Sequence, residues 1–397
     1  MFVAKINKIL ILSATFVILG LVTVACVAPG TSMGTGCGGP GAQGWSGFTG
    51  DDGVIYLGSM GGKVMALDSS SRSRGITFPD EREWEFGIKS SAPANPCGPM
   101  MSCGPSASPT AVIYGTPVMS DDLVYVGTYS GRVYALNSLT GALRWVYPRE
   151  SHETLGAIVG NMIVADDTIF TGSSNGMVYA LDSVTGDRRW EFKTDERIWV
   201  SPAFSDGVVY IGSYDNKLYA ISAKDGSELW QIELPSAMTS SPVVAEEAIL
   251  FGTFDRNLYA VSKVDGNVKW NFGGGNWFWA DPVVDGNVVY ATCFDHNVYA
   301  LDITTGKQLW RFTSDDRFVS KPVLSGDLLV VISESGELQV LDASNGERRK
   351  TVQISSEVMA PLYIEGNVVY VHARDSQVYA VDIQAEKVMW KYDTDIE

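Results

Sequence analysis

Tryptophan recurs along this chain on a nearly fixed ruler. Trp145, Trp190, Trp230, Trp270, Trp310 and Trp390 each close a stretch of the same shape, at spacings of 45, 40, 40, 40 and 80 residues. The last spacing is two periods, and Lys350 stands where the intervening tryptophan belongs. A period of about 40 residues with a β pattern inside it marks a radial array of small sheets, because one such unit cannot bury its own apolar faces and must stack on its neighbours.

The stretch 201–230 reads SPAFSDGVVYIGSYDNKLYAISAKDGSELW, and 280–310 reads ADPVVDGNVVYATCFDHNVYALDITTGKQLW. Each holds four short runs rich in Val, Ile, Tyr and Trp, punctuated by Gly, Asp, Asn and Ser, which is the hairpin pattern. In the first stretch this predicts strand A at 202–204, B at 208–212, C at 217–221 and D at 228–231. No segment carries a sustained helical period. Seven such units have their C strands at Tyr134, Tyr179, Tyr219, Tyr259, Tyr299, Gln339 and Tyr379. An eighth lies upstream: 53–68 supplies strands B and C, 83–86 (with Trp84) supplies D, and 44–48 is its expected strand A. The expectation is an all-β chain, an eight-bladed β-propeller of four-stranded antiparallel blades. It forms one domain over 44–397 with an insert at 87–110. Closure of the ring leaves no aggregation-prone sheet edge.

The blade tryptophans Trp84, Trp145, Trp190, Trp230, Trp270, Trp310 and Trp390 are read as structural. Each is expected to pack flat between adjacent blades with its N–H on a backbone acceptor, a burial worth roughly 2–3 kcal/mol. The residues before them, such as Ala180, Asp182, Thr185 and Gly186, form the C-to-D turn: Gly supplies a positive φ and Asp caps the turn. Blade seven breaks the aromatic rule twice, at Gln339 and Lys350. It is expected to be the loosest blade or one with a partner.

The pattern A-x-D-x-x-T-G-x-x-x-W on this period resembles the pyrroloquinoline quinone (PQQ)-type propeller repeat. Ala300, Asp302, Thr305, Gly306 and Trp310 match at every position; Ala135, Thr140, Gly141 and Trp145 match with Asn137 in the Asp place; Ala380, Asp382 and Trp390 match, with Glu386 replacing the Gly. The resemblance covers roughly 44–391. It implies one of two branches. The BamB-like outer-membrane assembly lipoproteins are similar in length and single-domain architecture and act as scaffolds without catalysis. The quinoprotein alcohol dehydrogenases are much longer, bind PQQ and Ca²⁺ in the funnel, and carry a disulfide between adjacent cysteines. This chain has no Cys–Cys pair. It also departs from the first branch: there an N-terminal strand closes the final blade, whereas here the last unit runs through its own strand D at 388–392.

The first 26 residues read as a targeting segment. Lys5 and Lys8 form a basic start, and 9–25 carries no charge, as in export signals. Thr23–Val24–Ala25–Cys26 resembles a lipoprotein cleavage site, with Thr23 where Leu is usual, and makes Cys26 the candidate lipidation site. A retained signal anchor and a released protein are the alternatives; the apolar run is a little short of the ~20 residues of a comfortable span. All three place the propeller outside the cytoplasm. The Gly-rich stretch 27–43 reads as a flexible tether. Net charge of −17 opposes nucleic-acid binding, which needs a basic stripe, and favours solubility.

Export permits disulfides, so Cys97 and Cys103 in the insert are a candidate pair, with Cys37 as a competing partner for either. Cys293 is expected to be a buried thiol. No CxxC pair or His–Cys cluster suggests zinc, and no metal site is expected. His152, His296 and His372 are read as ordinary surface histidines, and no catalytic residue is assigned. Asp215, Asp255, Asp295 and Asp375 recur in the B-to-C turn, where Asp is favoured; a cation-binding ring is the alternative.

The D-to-A loops converge on one face near the channel. Their aligned positions hold Arg197, Ala237, Trp277, Arg317 and Glu357, and two residues on stand Trp199 and Trp279. Exposed aromatics with Arg mark binding surfaces, so Arg197, Trp199, Trp277, Trp279 and Arg317 are the binding-face candidates, with channel plugging as the alternative. The combined expectation is a monomeric, membrane-tethered scaffold for envelope proteins, with no cofactor. A PQQ-binding redox protein is the alternative.

Overall fold

In the computed structural model the described residues are 46–88, 112–150 and 153–395. The targeting segment with Cys26, the tether with Cys37, the insert beyond Ile88 with Cys97 and Cys103, and His152 lie outside them.

The strands form eight four-stranded antiparallel sheets, each using its strands in simple sequence order. The blades span 48–87, 118–147, 163–193, 203–233, 243–273, 283–313, 323–353 and 363–393, and are numbered 1 to 8. The protein is an eight-bladed β-propeller. Burial grades across each blade as the radial arrangement requires. Strand A is half-buried, strands B and C are almost wholly buried, and strand D alternates, as in Gln308–Thr313. Strands B and C are covered on both faces by neighbouring blades, so they read as near-continuous apolar runs. Strands A touch one another from blade 1 through blade 5 and again between blades 7 and 8.

An outer interlock joins each blade to the next. A Cβ added to Gly306 would meet the Trp270 ring at 2.6 Å, and one added to Gly346 would meet Trp310 at 2.5 Å. Gly141, Gly186 and Gly226 stand in the same way against Trp84, Trp145 and Trp190. The turn glycine of one blade therefore lies flat on the tryptophan of the blade before it. The same tryptophan donates its indole N–H into that turn: Trp84 to Ser138 O (2.8 Å), Trp145 to Ser183 O (3.0 Å), Trp190 to Ala223 O (2.8 Å), Trp270 to Ile303 O (2.8 Å) and Trp310 to Ala343 O (3.0 Å).

Two departures from the repeat prove to be one. Lys350 replaces the tryptophan of blade 7 and Glu386 replaces the turn glycine of blade 8, and the two side chains face each other with Nζ to Oε1 at 3.7 Å. Lys350 Nζ also donates to Gln384 O at 2.6 Å, taking over the role of the indole N–H. A Trp–Gly contact has been exchanged for a Lys–Glu contact across the same blade boundary.

An inner interlock follows the axis. Thr116 N–H donates to Asn161 Oδ1 (2.7 Å), Asn161 N–H to Ser201 Oγ (2.9 Å), Ser201 N–H to Ser241 Oγ (3.1 Å) and Ser241 N–H to Asp281 Oδ1 (2.7 Å). The side chain at one aligned position thus caps the backbone of the preceding blade. The series stops at Lys321 and Pro361, which cannot accept.

The ring closes between blades 8 and 1 by side-chain packing, with no shared strand. Phe48, Ile55, Leu57 and Met65 of blade 1 pack with Tyr370, Val378 and Trp390 of blade 8. The repeating hydrogen bond fails here. Ser69 occupies the acceptor position but begins a short helix, α1 (Ser69–Ser73), capped by Asp68. Its carbonyl accepts from Ser73 Oγ at 2.7 Å instead, and buried Trp390 Nε1 has no partner among the described residues. An unpaired buried donor costs about 1–3 kcal/mol. The Arg72 guanidinium, bound to buried Glu83, covers the boundary by stacking over Phe78 (5.7 Å) and Tyr392 (5.6 Å).

Two expectations need correction. Strand A of blade 1 is Phe48–Asp51, paired Phe48↔Leu57 through Asp51↔Val54, and not 44–48. The interval from strand A to Gly53 fixes this register, and it matches the interval to Gly207 in blade 4. His372 is no surface residue: it ends strand B of blade 8 at 1% exposure, with Nδ1 3.0 Å from Ser46 O across the seam. In blade 7 Gln339 is fully buried; its Nε2 donates to Ser314 Oγ at 3.1 Å, and its Oε1 has no partner among the described residues.

Gly306→Ala should destabilise by about 2–4 kcal/mol, combining a left-handed backbone with overpacking on Trp270. Gly286→Ala, at positive φ but in open space, should cost only about 1–2 kcal/mol. Chemical denaturation reads both, and equal losses would remove the interlock from the account.

Burial holds the His372 ring below its ordinary value of 6.5, against the pull of the Ser46 carbonyl and of Asp395 and Asp375. A depressed histidine contributes stability that is whole above pH 6.5 and is lost as pH falls below it, because the unfolded chain then binds the extra proton. The thermal midpoint should therefore fall more steeply from pH 7 to pH 5 in the wild type than in His372→Gln, which cannot titrate. Parallel profiles would rule this out.

Candidate functional site

On the face formed by the D-to-A loops and B-to-C turns, a repeated backbone bond sets the geometry. Tyr214 N–H donates to Arg197 O (3.0 Å), Phe254 N–H to Ala237 O (3.0 Å), Phe294 N–H to Trp277 O (2.9 Å), Glu334 N–H to Arg317 O (2.9 Å) and Arg374 N–H to Glu357 O (2.9 Å). Each bond ties the loop entering a blade to the turn between its strands B and C. The loop residues singled out from the sequence therefore stand beside the turn residues of their own blades.

The outcome is a continuous aromatic belt over blades 4 to 7. Arg197 stacks over Trp199 (4.4 Å) and Tyr214 (4.7 Å). The contacts continue from Tyr214 to Phe254 (6.1 Å), Phe254 to Trp277 (5.4 Å) and Trp279 (6.5 Å), and Trp279 to Phe294 (5.7 Å). Arg317 closes the far end over Phe294 (5.4 Å). The structure thus joins all five candidates, but in different states. Trp199 and Trp279 are each 39% exposed. Trp277 is half-buried and fixed by its N–H on Phe254 O at 3.0 Å. Arg317 is bound by the Glu334 carboxylate, whereas exposed Arg197 makes no ion pair among the described residues. Phe278, between the two tryptophans, points into the core and is fully buried.

Sequence reasoning missed Tyr214, Phe254 and Phe294. Their signal was present: each immediately precedes the recurring turn aspartate. Those aspartates have a local role. Asp215, Asp255, Asp295 and Asp375 accept from the hydroxyls of Tyr219, Tyr259, Tyr299 and Tyr379 at 2.7–2.8 Å. Burial alone would raise Asp295, but Tyr299, the Gly275 N–H and other donors hold it below the usual carboxylate range. No group of three potential ligands is close enough for a metal among the described residues. Burial pushes the Cys293 thiol up to about 12, far from a reactive thiolate. His296 stands in the B-to-C turn with Nδ1 3.1 Å from Asp315 O.

Below the belt opens the axial cavity, of ≈ 220 Å³, lined by aligned residues of blades 2 to 8. Trp199 and Trp279 stand at its mouth with Tyr114, Val319 and Met359, and Ser201, Ser241, Asp281 and Lys321 stand two residues further in. A more open cleft of ≈ 490 Å³ lies beside blades 7 and 8, lined by Asp316, Glu334 and Glu357. It lies apart from the exposed tryptophans, and two of its carboxylates are taken by Arg317 and Arg374.

Known structures share this fold. A computationally designed protein, Ika8, superposes with a TM-score of 0.69 at 18% identity, covering 85% of this chain and 95% of its own. BamB from Moraxella catarrhalis superposes with a TM-score of 0.64 at 19% identity, covering 83% of this chain and 91% of its own. No curated protein sequence matches the chain. The family model described as outer membrane protein assembly factor BamB matches residues 106–198, 178–291 and 294–397, and the chain belongs to that family.

Proposed function

We propose that this chain is a non-enzymatic propeller, tethered to a membrane outside the cytoplasm, that docks an extended segment of an envelope protein across the belt of blades 4 to 7. The belt carries the reading. Two half-exposed tryptophans, backed by Tyr214, Phe254 and Phe294, offer rigid apolar area at small entropic loss, which is the composition of binding hot spots. Arg197 at one end offers an unpaired fork of donors to a carboxylate or a backbone carbonyl. The family description, an assembly factor of the outer membrane, supports a protein partner in the envelope. The charge-free run ending in Ala25–Cys26 supports the tether. Unchanged membrane fractionation and lipid labelling of Cys26→Ala would remove that part.

The test is site-specific photo-crosslinking in cells. A crosslinker replacing Trp279 should yield a discrete adduct with an envelope protein. A crosslinker at Leu309, 53% exposed on the outer strand of blade 6, should yield none. Trp199→Ala should weaken the Trp279 adduct severalfold with the thermal midpoint nearly unchanged. The same adduct from both sites, or a Trp199→Ala midpoint that falls with no loss of adduct per folded molecule, would reduce the belt to packing.

A further inference from the structure

Among the described residues that line the axial cavity, only Asp281 and Lys321 carry charge. They occupy the same aligned position in blades 6 and 7, so they stand side by side on the wall. Every other residue at this position is neutral: Gly47, Thr116, Asn161, Ser201, Ser241 and Pro361. The two charges form no direct ion pair, and Lys321 has no side-chain partner among the described residues. Asp281 gives Oδ1 to the Ser241 N–H at 2.7 Å, and among the described residues only Ser241 and the field of Lys321 engage its carboxylate. Burial pushes this carboxyl upward, with Lys321 and Ser241 opposing. Both side chains are half-buried, and opposite charges that stand together without touching gain from a molecule that bridges them.

We propose that the axial cavity binds a small zwitterion of the α-amino-acid class, with its ammonium on Asp281, its carboxylate on Lys321 and an apolar side chain toward the mouth. The sizes agree: ≈ 220 Å³ is below the range of drug-sized pockets and holds on the order of seven waters. The chemistry agrees at both levels. The inner level offers one negative and one positive group among hydroxyls. The mouth offers Trp199, Trp279, Val319 and Met359, which suit a side chain rather than a second charge. Structural necessity does not account for the pair. A Ser at 281 would cap Ser241 as Ser241 caps Ser201, and Pro361 shows that the ring forms without a side-chain acceptor at every blade. The proposal does not rest on peptide docking at the belt, although the two share Trp199 and Trp279.

The test is isothermal titration of the folded wild-type protein with the common L-α-amino acids singly, followed by the amine and carboxylic-acid analogues of whichever binds best, each lacking one charge. The expected result is saturable one-to-one binding, about tenfold or more weaker for each singly charged analogue. Asp281→Asn keeps an oxygen for the Ser241 N–H while removing the charge. It should weaken the amino acid about tenfold and abolish the preference over the carboxylic acid. Lys321→Gln should abolish the preference over the amine. Should Asp281→Asn lower the thermal midpoint strongly, Lys321→Gln and the analogue series decide alone. No binding at millimolar concentration, analogues that bind as tightly as the zwitterion, or variants that bind like the wild type would overturn the proposal. None of these outcomes depends on whether the belt crosslinks a protein partner.

Discussion

The structure depends on one contact, repeated around the ring: an indole of one blade lying on the turn glycine of the next. It explains why the Thr-Gly turn and the tryptophan recur together. The Gly is needed twice, for its left-handed backbone and because any side chain would displace the neighbouring ring. It also explains why the period is so strict, since each blade must present a donor ring on one side and a bare turn on the other. Where the contact is exchanged, at Lys350 and Glu386, both halves change together and the hydrogen bond into the turn survives. Where only the turn changes, at α1, the indole of Trp390 is stranded.

A ring built in this way leaves its loops free to carry function. The bonds from Tyr214 to Arg197 and from Phe294 to Trp277 convert two separate loop series into one surface, so aromatic residues from three blades, with Arg317 of a fourth, form a belt that no single blade could present. The same symmetry places one side chain per blade on the axis. Asn161, Ser201, Ser241 and Asp281 cap the preceding blade; Asp281 does so while keeping a charge beside that of Lys321. The fold supplies rigidity, and the few positions that depart from the repeat supply the chemistry.

Much of this was legible in the sequence because the information is periodic. Strands B and C could be placed almost to the residue, since each is an apolar run between turn residues; strand B of blade 4 is Val208–Gly212, as the pattern reads. What escaped is information that crosses blade boundaries. Lys350 and Glu386 looked like independent lapses, because nothing in a single repeat says that the turn of one blade rests on the tryptophan of another. Tyr214, Phe254 and Phe294 were absorbed into hairpin turns, and only the backbone bond to the entering loop shows that they share a surface with Trp199 and Trp279. His372 ends strand B of blade 8, a position buried in every blade, so its burial is legible in the period; what the seam adds is the Ser46 carbonyl beside its ring. The first strand of blade 1 is Phe48–Asp51 and not 44–48, and the interval to Gly53 is the guide that places it.

Closure by packing without the indole-to-turn bond makes a sharp claim: the boundary between blades 8 and 1, with an indole that finds no partner among the described residues and a buried histidine, is the weakest in the ring. Native-state hydrogen exchange measures this most directly, because opening free energies differ among cooperative units of one fold. The account predicts that amides in strands B and C of blades 1 and 8 exchange through an opening of lower free energy than those of blades 5 and 6. Exchange of all eight blades through a single global opening, or first through blades 5 and 6, would contradict it.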